Sequence, residues 1–265
     1  MEANHMSAGL LEAELARVKR IVAGLGNPGE EYARTRHNVG FRAVDAFLKA
    51  EGIPKLFEGH SKSRLQIIEL DGITTLLVKP TTYMNLSGTA VSSALDVTGL
   101  SGAELLVVHD DMDLPLGRAK MKVGGGAAGH KGVADIIEHC GEEFARIKIG
   151  IGRPLTHAEA SKHLGGLAFD TPVETGEEAA INWVLGEIGP EEEEVFVRLL
   201  PVVATAIRRW VVDGVEKSMT WFNTELKAEE EEVEEVAYTA EASREAEMEE
   251  TMLRGDDEVA PAVDE

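Results

Sequence analysis

The sequence predicts an α/β fold: a single domain with a twisted mixed β-sheet covered by helices on both faces, followed by an acidic C-terminal tail. Three observations carry that expectation. From Arg20 to about Asn223, short apolar runs of strand character alternate with longer runs of helical spacing. Two of the apolar runs meet at Asp71-Gly72, a hairpin turn, which makes the sheet mixed rather than wholly parallel. Beyond Glu225 the composition shifts to glutamate blocks with few aromatics, which cannot bury enough apolar surface to offset the entropy of ordering.

Strands are expected at Arg20–Gly24, Arg64–Leu70, Ile73–Lys79, Leu105–His109, Ala119–Lys122 and Arg146–Gly150. Helical spacing covers Val39–Glu51, Thr89–Thr98, Lys131–Cys140, Glu177–Leu185 and Glu191–Asp213. Residues 1–19 form an N-terminal extension with one short amphipathic pattern, Leu10, Leu11, Leu15 and Val18. The α/β domain spans 20–224, with a loop-rich stretch at about 155–176, and the tail occupies 225–265 as a solvated, disordered segment.

A chain of 265 residues, 43% hydrophobic, can bury one substantial core. No apolar run reaches membrane-spanning length, and nothing near the start has the pattern of a secretory signal. The single cysteine, Cys140, excludes an intramolecular disulfide and fits a reducing cytosol. It closes the apolar helix pattern VADIIEHC, where a buried, inert thiol is the expectation. The net charge of −22 is unevenly placed: residues 225–265 hold 17 acidic and 3 basic residues, −14, which leaves −8 for the rest. Nucleic acid therefore stays open as a partner wherever the remaining cations cluster.

The stretch GLGNPG, Gly24 to Gly29, has the G-x-G-x-x-G spacing of a dinucleotide site, but its context does not fit. Such a site needs a helix directly after the glycines and an acid about twenty residues on, at the end of a second strand. Here Pro28 interrupts, polar EEYARTRHNV follows, and Asp45 falls within a helix pattern. The polar residues carry more information. Asn27 sits at the C-terminal end of a buried strand, where open α/β sheets place ligands, and His37 returns to the same crevice ten residues later. His37 alone could be structural; it needs partners.

Three other clusters supply candidates. In KPTTYMNLSGTAV, Ser87 or a neighbour could serve as an N-cap, and Asn85 is a cap or a ligand contact, since an amide can donate and accept toward a peptide backbone at once. In LLVVHDDMDLPLG, a strand runs into Asp110, Asp111 and Asp113, which could bind a divalent metal, orient a histidine or make turns. Asp110 with His37 would form a His–Asp dyad that fixes a tautomer for a general base. In KMKVGGGAAGHKGVADII, a glycine loop opens a helix beside Lys120, Lys122 and Lys131, a setting suited to an anion.

Taken in order, VAGLGNPGEEYARTRHNVGF, KPTTYMNLSG, VVHDDMDLPLG, the GGG…GHKG loop and RIKIGIGRP resemble bacterial peptidyl-tRNA hydrolase. The resemblance implies hydrolysis of the ester between a peptide and the 3′-terminal ribose of tRNA, with no cofactor and no metal, by a cytoplasmic monomer. It implies His37 as general base, Asp110 as its orienting partner and Asn27 as a positioning group. Tyr32, Met84, Asn85 and Lys131 would contact substrate, and Lys120, Lys122 and Lys148 would meet tRNA phosphate. The chain departs from the family pattern in the glycine loop, GGAAGHKG where GGHGGHNG is common, so that Lys131 replaces an asparagine; Lys148 replaces a phosphate-facing arginine, keeping charge but losing the bidentate fork. Lys131 would compensate as a cation near the ester or a phosphate. The stretch 155–176 would lengthen the loop after Gly152-Arg153-Pro154. The competing function is a non-catalytic RNA-binding protein on the same fold, similar to the chloroplast relatives that assist splicing.

Overall fold

Runs rich in Val, Ile and Leu form seven strands in the computed structural model, which describes residues 8–55, 57–60, 62–154 and 176–226. They are β1 (Arg20–Gly24), β2 (Glu58–His60), β3 (Ser63–Leu70), β4 (Ile73–Pro80), β5 (Leu105–Asp111), β6 (Ala119–Val123) and β7 (Ala145–Gly150). The helices include α1 (Ala8–Leu15), α2 (Val39–Ala50), α3 (Ser87–Thr98), α4 (Lys131–Cys140), α5 (Glu177–Leu185) and α6 (Pro190–Asp213), and residues 215–226 are also helical. No helix among the described residues is long and apolar enough to cross a membrane. The chain divides into two units, Met1–Asn223 and Thr224–Glu265; of the second, only 224–226 are described, and these are helical. The stretch expected to be loop-rich at about 155–176 and the tail thus fall almost wholly outside the described residues.

The sheet order is β2-β3-β4-β1-β5-β7-β6. β1 runs parallel to β4 and to β5, and β5 runs parallel to β7. The β3–β4 hairpin and the outer pairs β2–β3 and β6–β7 are antiparallel, so the mixed sheet expected from Asp71-Gly72 is present. Four strands, β4, β1, β5 and β7, therefore end on the same side. The chain passes from β1 to one side of the sheet for β4 and then to the other for β5, which makes the end of β1 a switch point with an open crevice.

Both faces are covered. On one, Ile21, Ala23, Leu76, Val78, Leu105 and Val107 pack against α1, α3 and α4 through Leu15, Val91, Leu95, Val133 and Ile136. Leu15 and Val18 are buried here, so the end of the N-terminal extension is part of the core. Alternation along the strands sends Val22, Leu77, Leu106 and Val108 to the opposite face, toward α2, with α6 packed outside it. The one strand with no expectation from sequence is β2: Glu-Gly-His has no apolar alternation, and its pairing with Ser63–Leu65 alone makes it extended. On the far edge, the Asn223 side chain bonds both the N–H (2.9 Å) and the carbonyl (3.0 Å) of Met121, which protects β6 from further strand pairing.

The start of α2 is pressed onto the sheet. Phe41 N donates to Leu25 O at 3.1 Å, and Leu25 N donates to Val108 O at 2.9 Å. A Cβ at Gly40 would lie 2.3 Å from Val108 O and 2.6 Å from Leu25 N, all backbone that cannot yield cheaply. Gly40→Ala is therefore expected to destabilise the fold by about 2–3 kcal/mol through overpacking, read as a lower urea midpoint at unchanged m-value. A midpoint equal to wild type would show that α2 can lift from the sheet.

Candidate active site

Asp110 is the next-to-last residue of β5, whose seven positions are all buried, and its carboxylate is 2% exposed. A buried carboxylate is costly unless it is given donors. Two imidazoles supply them. His37 Nδ1–H donates to Oδ1 at 2.9 Å and Oδ2 at 3.0 Å, and His130 Nε2–H donates to Oδ1 at 3.1 Å. Burial by itself would raise the Asp110 pKa, but the charges and N–H groups of His37 and His130 outweigh it and hold the carboxyl below the usual carboxylate range.

The histidines arrive from different elements and have different freedoms. His37 sits in the short 3-10 helix Arg36–Asn38 immediately before α2. With Nδ1–H committed to Asp110, its lone pair is on Nε2, and His37 lines the cleft. His130 is the N-cap of α4, and its Nδ1 accepts from Val133 N at 3.2 Å. That bond places the proton on Nε2, so His130 is locked as a donor by the helix it caps. A third ring, His109, points its Nδ1 at the Asp110 carbonyl (2.6 Å), and its Nε2 is buried without a partner. Burial first, then the neighbouring His130, holds His109 well below the ordinary histidine range, so it stays neutral.

Asn27 is fixed by a reciprocal pair with Asn38. Its backbone N–H donates to Asn38 Oδ1 at 2.8 Å, and its carbonyl accepts from Asn38 Nδ2 at 3.0 Å. Its own Oδ1 accepts from Met84 N at 2.8 Å. The amide orientation is thereby set, with Nδ2 left as a donor on the wall of the cleft. Behind it, the glycines open a turn and a 3-10 helix, Glu30–Tyr32, with no α-helix N-terminus for a pyrophosphate. Asp45 is engaged by Lys79 (2.5 Å) and Lys55 (3.2 Å).

Asn27, His37, Asp110 and His130 line one cleft of about 680 Å³. Asn27, Tyr32, His37, Met84, Asn85, Asp110 and Lys131, all singled out from sequence, are brought together there. Asn85 is exposed, whereas Ser87 is fully buried and donates to Met84 O at 2.8 Å; it caps nothing, and α3 starts without a side-chain cap. Lys131 is not directed at the His–Asp pair: its ammonium meets Glu177 Oε1 at 2.8 Å, across from α4 to α5. Lys120, Lys122 and Lys148 do not line the cleft. They lie on the β6–β7 edge, where register puts Lys120 opposite Lys148 and Lys122 opposite Arg146. Burial, then Arg146, Lys148 and Lys120, depresses the Lys122 pKa, a sign of crowded like charge. Lys148 is ion-paired with Asp111, and Arg146 holds the carbonyls of Gly124, Gly125 and Gly126.

Sequence reasoning passed over His130, Asn38 and the apolar wall of Ile181 and Leu185 on α5, both of which are partly exposed toward the cleft. A histidine between a glycine loop and a helix was the available signal for the first. The three aspartates do not form a metal site. Asp111 accepts from Asp113 N (2.8 Å) and Leu114 N (3.2 Å), and Asp113 pairs with Arg153. Among the described residues, the metal-capable group is His37, Asp110 and His130. Metal there would displace both imidazole protons and break the His130 cap on α4, so the donor set is poorly suited to a cation.

The peptidyl-tRNA hydrolase family model matches residues 21–232. A peptidyl-tRNA hydrolase of Carboxydothermus hydrogenoformans is 41% identical over 204 residues, covering 77% of this chain and 97% of the relative. That of Aquifex aeolicus is 36% identical, with 77% and 96% covered. The crystal structure of peptidyl-tRNA hydrolase from Acinetobacter baumannii superposes with a TM-score of 0.66 at 28% identity, covering 78% of this chain and 95% of that one.

The depressed pKa of Asp110 makes a stability prediction. Its ionised form stabilises the fold fully above the unfolded value of roughly 3.9, and that contribution is lost as pH falls from there toward the folded value. The stability gap in urea between wild type and Asp110→Asn should be widest above about pH 5 and narrow steadily below about pH 4. A gap that stays constant down to pH 3 would mean that the carboxylate gains nothing from its two imidazoles.

Proposed function

Because the chain belongs to the peptidyl-tRNA hydrolase family and hydrolyses the ester of peptidyl-tRNA, we propose that His37 is the general base of that reaction and Asp110 its orienting partner. The observation that carries this is the pair of contacts at 2.9 and 3.0 Å between His37 Nδ1 and the buried Asp110 carboxylate, at the wall of a cleft. Nε2 removes a proton from water as its oxygen attacks the ester carbonyl. The imidazolium that forms is stabilised by Asp110, which keeps its charge throughout. Asn27 Nδ2–H donates toward the oxygen on which negative charge develops. Collapse of the tetrahedral intermediate then breaks the bond to the ribose oxygen, which takes the proton back from His37, and free tRNA and peptide leave.

Asn85 reads the peptide main chain with an amide that donates and accepts, which suits an enzyme indifferent to peptide sequence. Tyr32 and Met84 line the same cleft. Lys131 contacts substrate only by releasing Glu177, an exposed pair worth little to keep. Lys120, Lys122 and Lys148 take tRNA phosphate: they cluster on the β6–β7 edge, where Lys148 is already paired with Asp111 and an anion is met first by Lys120 and Lys122. The enzyme works as a cytosolic monomer on this reading. Burial, with Asp96 and Asp135 nearby, pushes the Cys140 thiol up to about 11, out of the range of a reactive thiolate.

His37→Ala should lower kcat on a model peptidyl-tRNA by about 10²–10⁴-fold with little change in KM; turnover at the wild-type rate would remove His37 as the base. An inactive wild type that still binds tRNA would instead favour the non-catalytic RNA-binding role. Lys122→Ala should leave kcat intact, raise KM, and reduce the slope of log affinity against log salt by about one. An unchanged slope would place the phosphate elsewhere.

A further inference from the structure

We propose that Arg36 is a positioning residue for hydrolysis, clamping the backbone that carries His37 to the helix that walls the substrate cleft. The proposal rests on the assignment of His37 as general base. Arg36 directly precedes it in the 3-10 helix, and all three nitrogens of its guanidinium donate a hydrogen bond. Nε donates to Glu192 Oε1 at 2.7 Å and Nη2 to Oε2 at 2.8 Å, a bidentate pair with both side chains mostly buried. Nη1 donates to Trp183 O at 3.1 Å, and the guanidinium carbon lies 3.9 Å from the centroid of the Trp183 ring. The Trp183 indole is itself tied down, donating to Gly152 O at 2.9 Å beyond the end of β7.

The backbone repeats the connection. Arg36 N donates to Gly186 O at 3.1 Å and Ile188 N to Arg34 O at 2.9 Å, with an antiparallel bridge between Thr35 and Glu187. Gly186 has an ordinary φ, yet a Cβ there would lie 2.5 Å from Arg36 Nη1, so the glycine leaves room for the guanidinium. Residues 34–36 are thus strapped to the end of α5 and the start of α6. Since α5 supplies Ile181 and Leu185 to the cleft, the same clamp sets the imidazole and the wall against which substrate lies. A bidentate, stacked arginine cannot be replaced by lysine without losing the fork and the stack. A second salt bridge links α2 and α6, Arg42 Nη2 with Glu193 Oε1 at 2.6 Å, a single contact that is more exposed and is made five residues after His37.

The experiment compares Arg36→Lys, Gly186→Ala and Arg42→Lys with wild type. It measures kcat and KM on a model peptidyl-tRNA, the urea midpoint, and the NMR resonance of the His37 Nδ1 proton. Arg36→Lys and Gly186→Ala should each lose about ten- to a hundredfold in kcat, with KM within about twofold, and should shift or broaden the proton resonance. Arg42→Lys should change only the midpoint. Wild-type kcat and an unmoved resonance in Arg36→Lys and Gly186→Ala, with only a lower midpoint, would overturn the proposal; so would an equal loss of kcat in Arg42→Lys. Should Arg36→Lys fail to fold, Gly186→Ala and Glu192→Gln carry the same test. The resonance is independent of turnover, so a wild type that proved inactive would sink the assignment of His37 as base while the clamp was still being read.

Discussion

A carboxylate buried at the end of a strand is the constraint around which the rest of the molecule is arranged. Asp110 cannot be left alone in the interior, and it is anchored by the register of β5 between β1 and β7. The chain answers with two imidazoles from opposite faces of the sheet, one ahead of α2 and one capping α4. Each helix start is thereby tied to the strand end. Because His130 has both nitrogens committed, of the two imidazoles bonded to Asp110 only His37 keeps a nitrogen without a partner. One buried charge thus fixes two tautomers and gives the two histidines different freedoms.

The same economy governs the neighbouring amides. Asn38 closes the Asn27 turn onto itself from both backbone groups, and Asn27 spends its carbonyl oxygen on Met84. The two loops that follow β1 and β4 are joined by the bond from Met84 N to Asn27 at the open end of the parallel strands. The crevice that topology creates there is held by hydrogen bonds rather than by apolar packing, and this is what leaves polar groups available on its wall. Apolar packing returns on the other side, where α5 offers its exposed Ile181 and Leu185.

Charge is distributed to match. A chain of −22 concentrates cations where β6 and β7 face each other; Asp111 neutralises Lys148, and glycine-loop carbonyls hydrogen-bond Arg146, which keeps its charge. Lys120 stays exposed. With a Debye length of roughly 8 Å at physiological salt, a nearby ion responds to such a local cluster more than to the net charge of the chain.

The strands and helices were legible because apolar periodicity is a local property: β1, β4, β5 and β7 read as apolar runs, and α2 and α4 as apolar stripes. β2 was not, since an edge strand of Glu-Gly-His exists only by pairing. Asn27, His37 and Asp110 could be placed in one site from sequence through strand ends and a family pattern. The pairings of Arg36 and Lys131 could not: Arg36 with Trp183 and Glu192, and Lys131 with Glu177, are separated by 147, 156 and 46 positions. Sequence by itself determined the layers, the mixed sheet and the chemical vocabulary of the cleft. Tertiary structure alone decided which histidine keeps a free nitrogen and which lysines are already neutralised. Those outcomes depend on which donor reaches which acceptor across the fold, and local spacing carries no record of that.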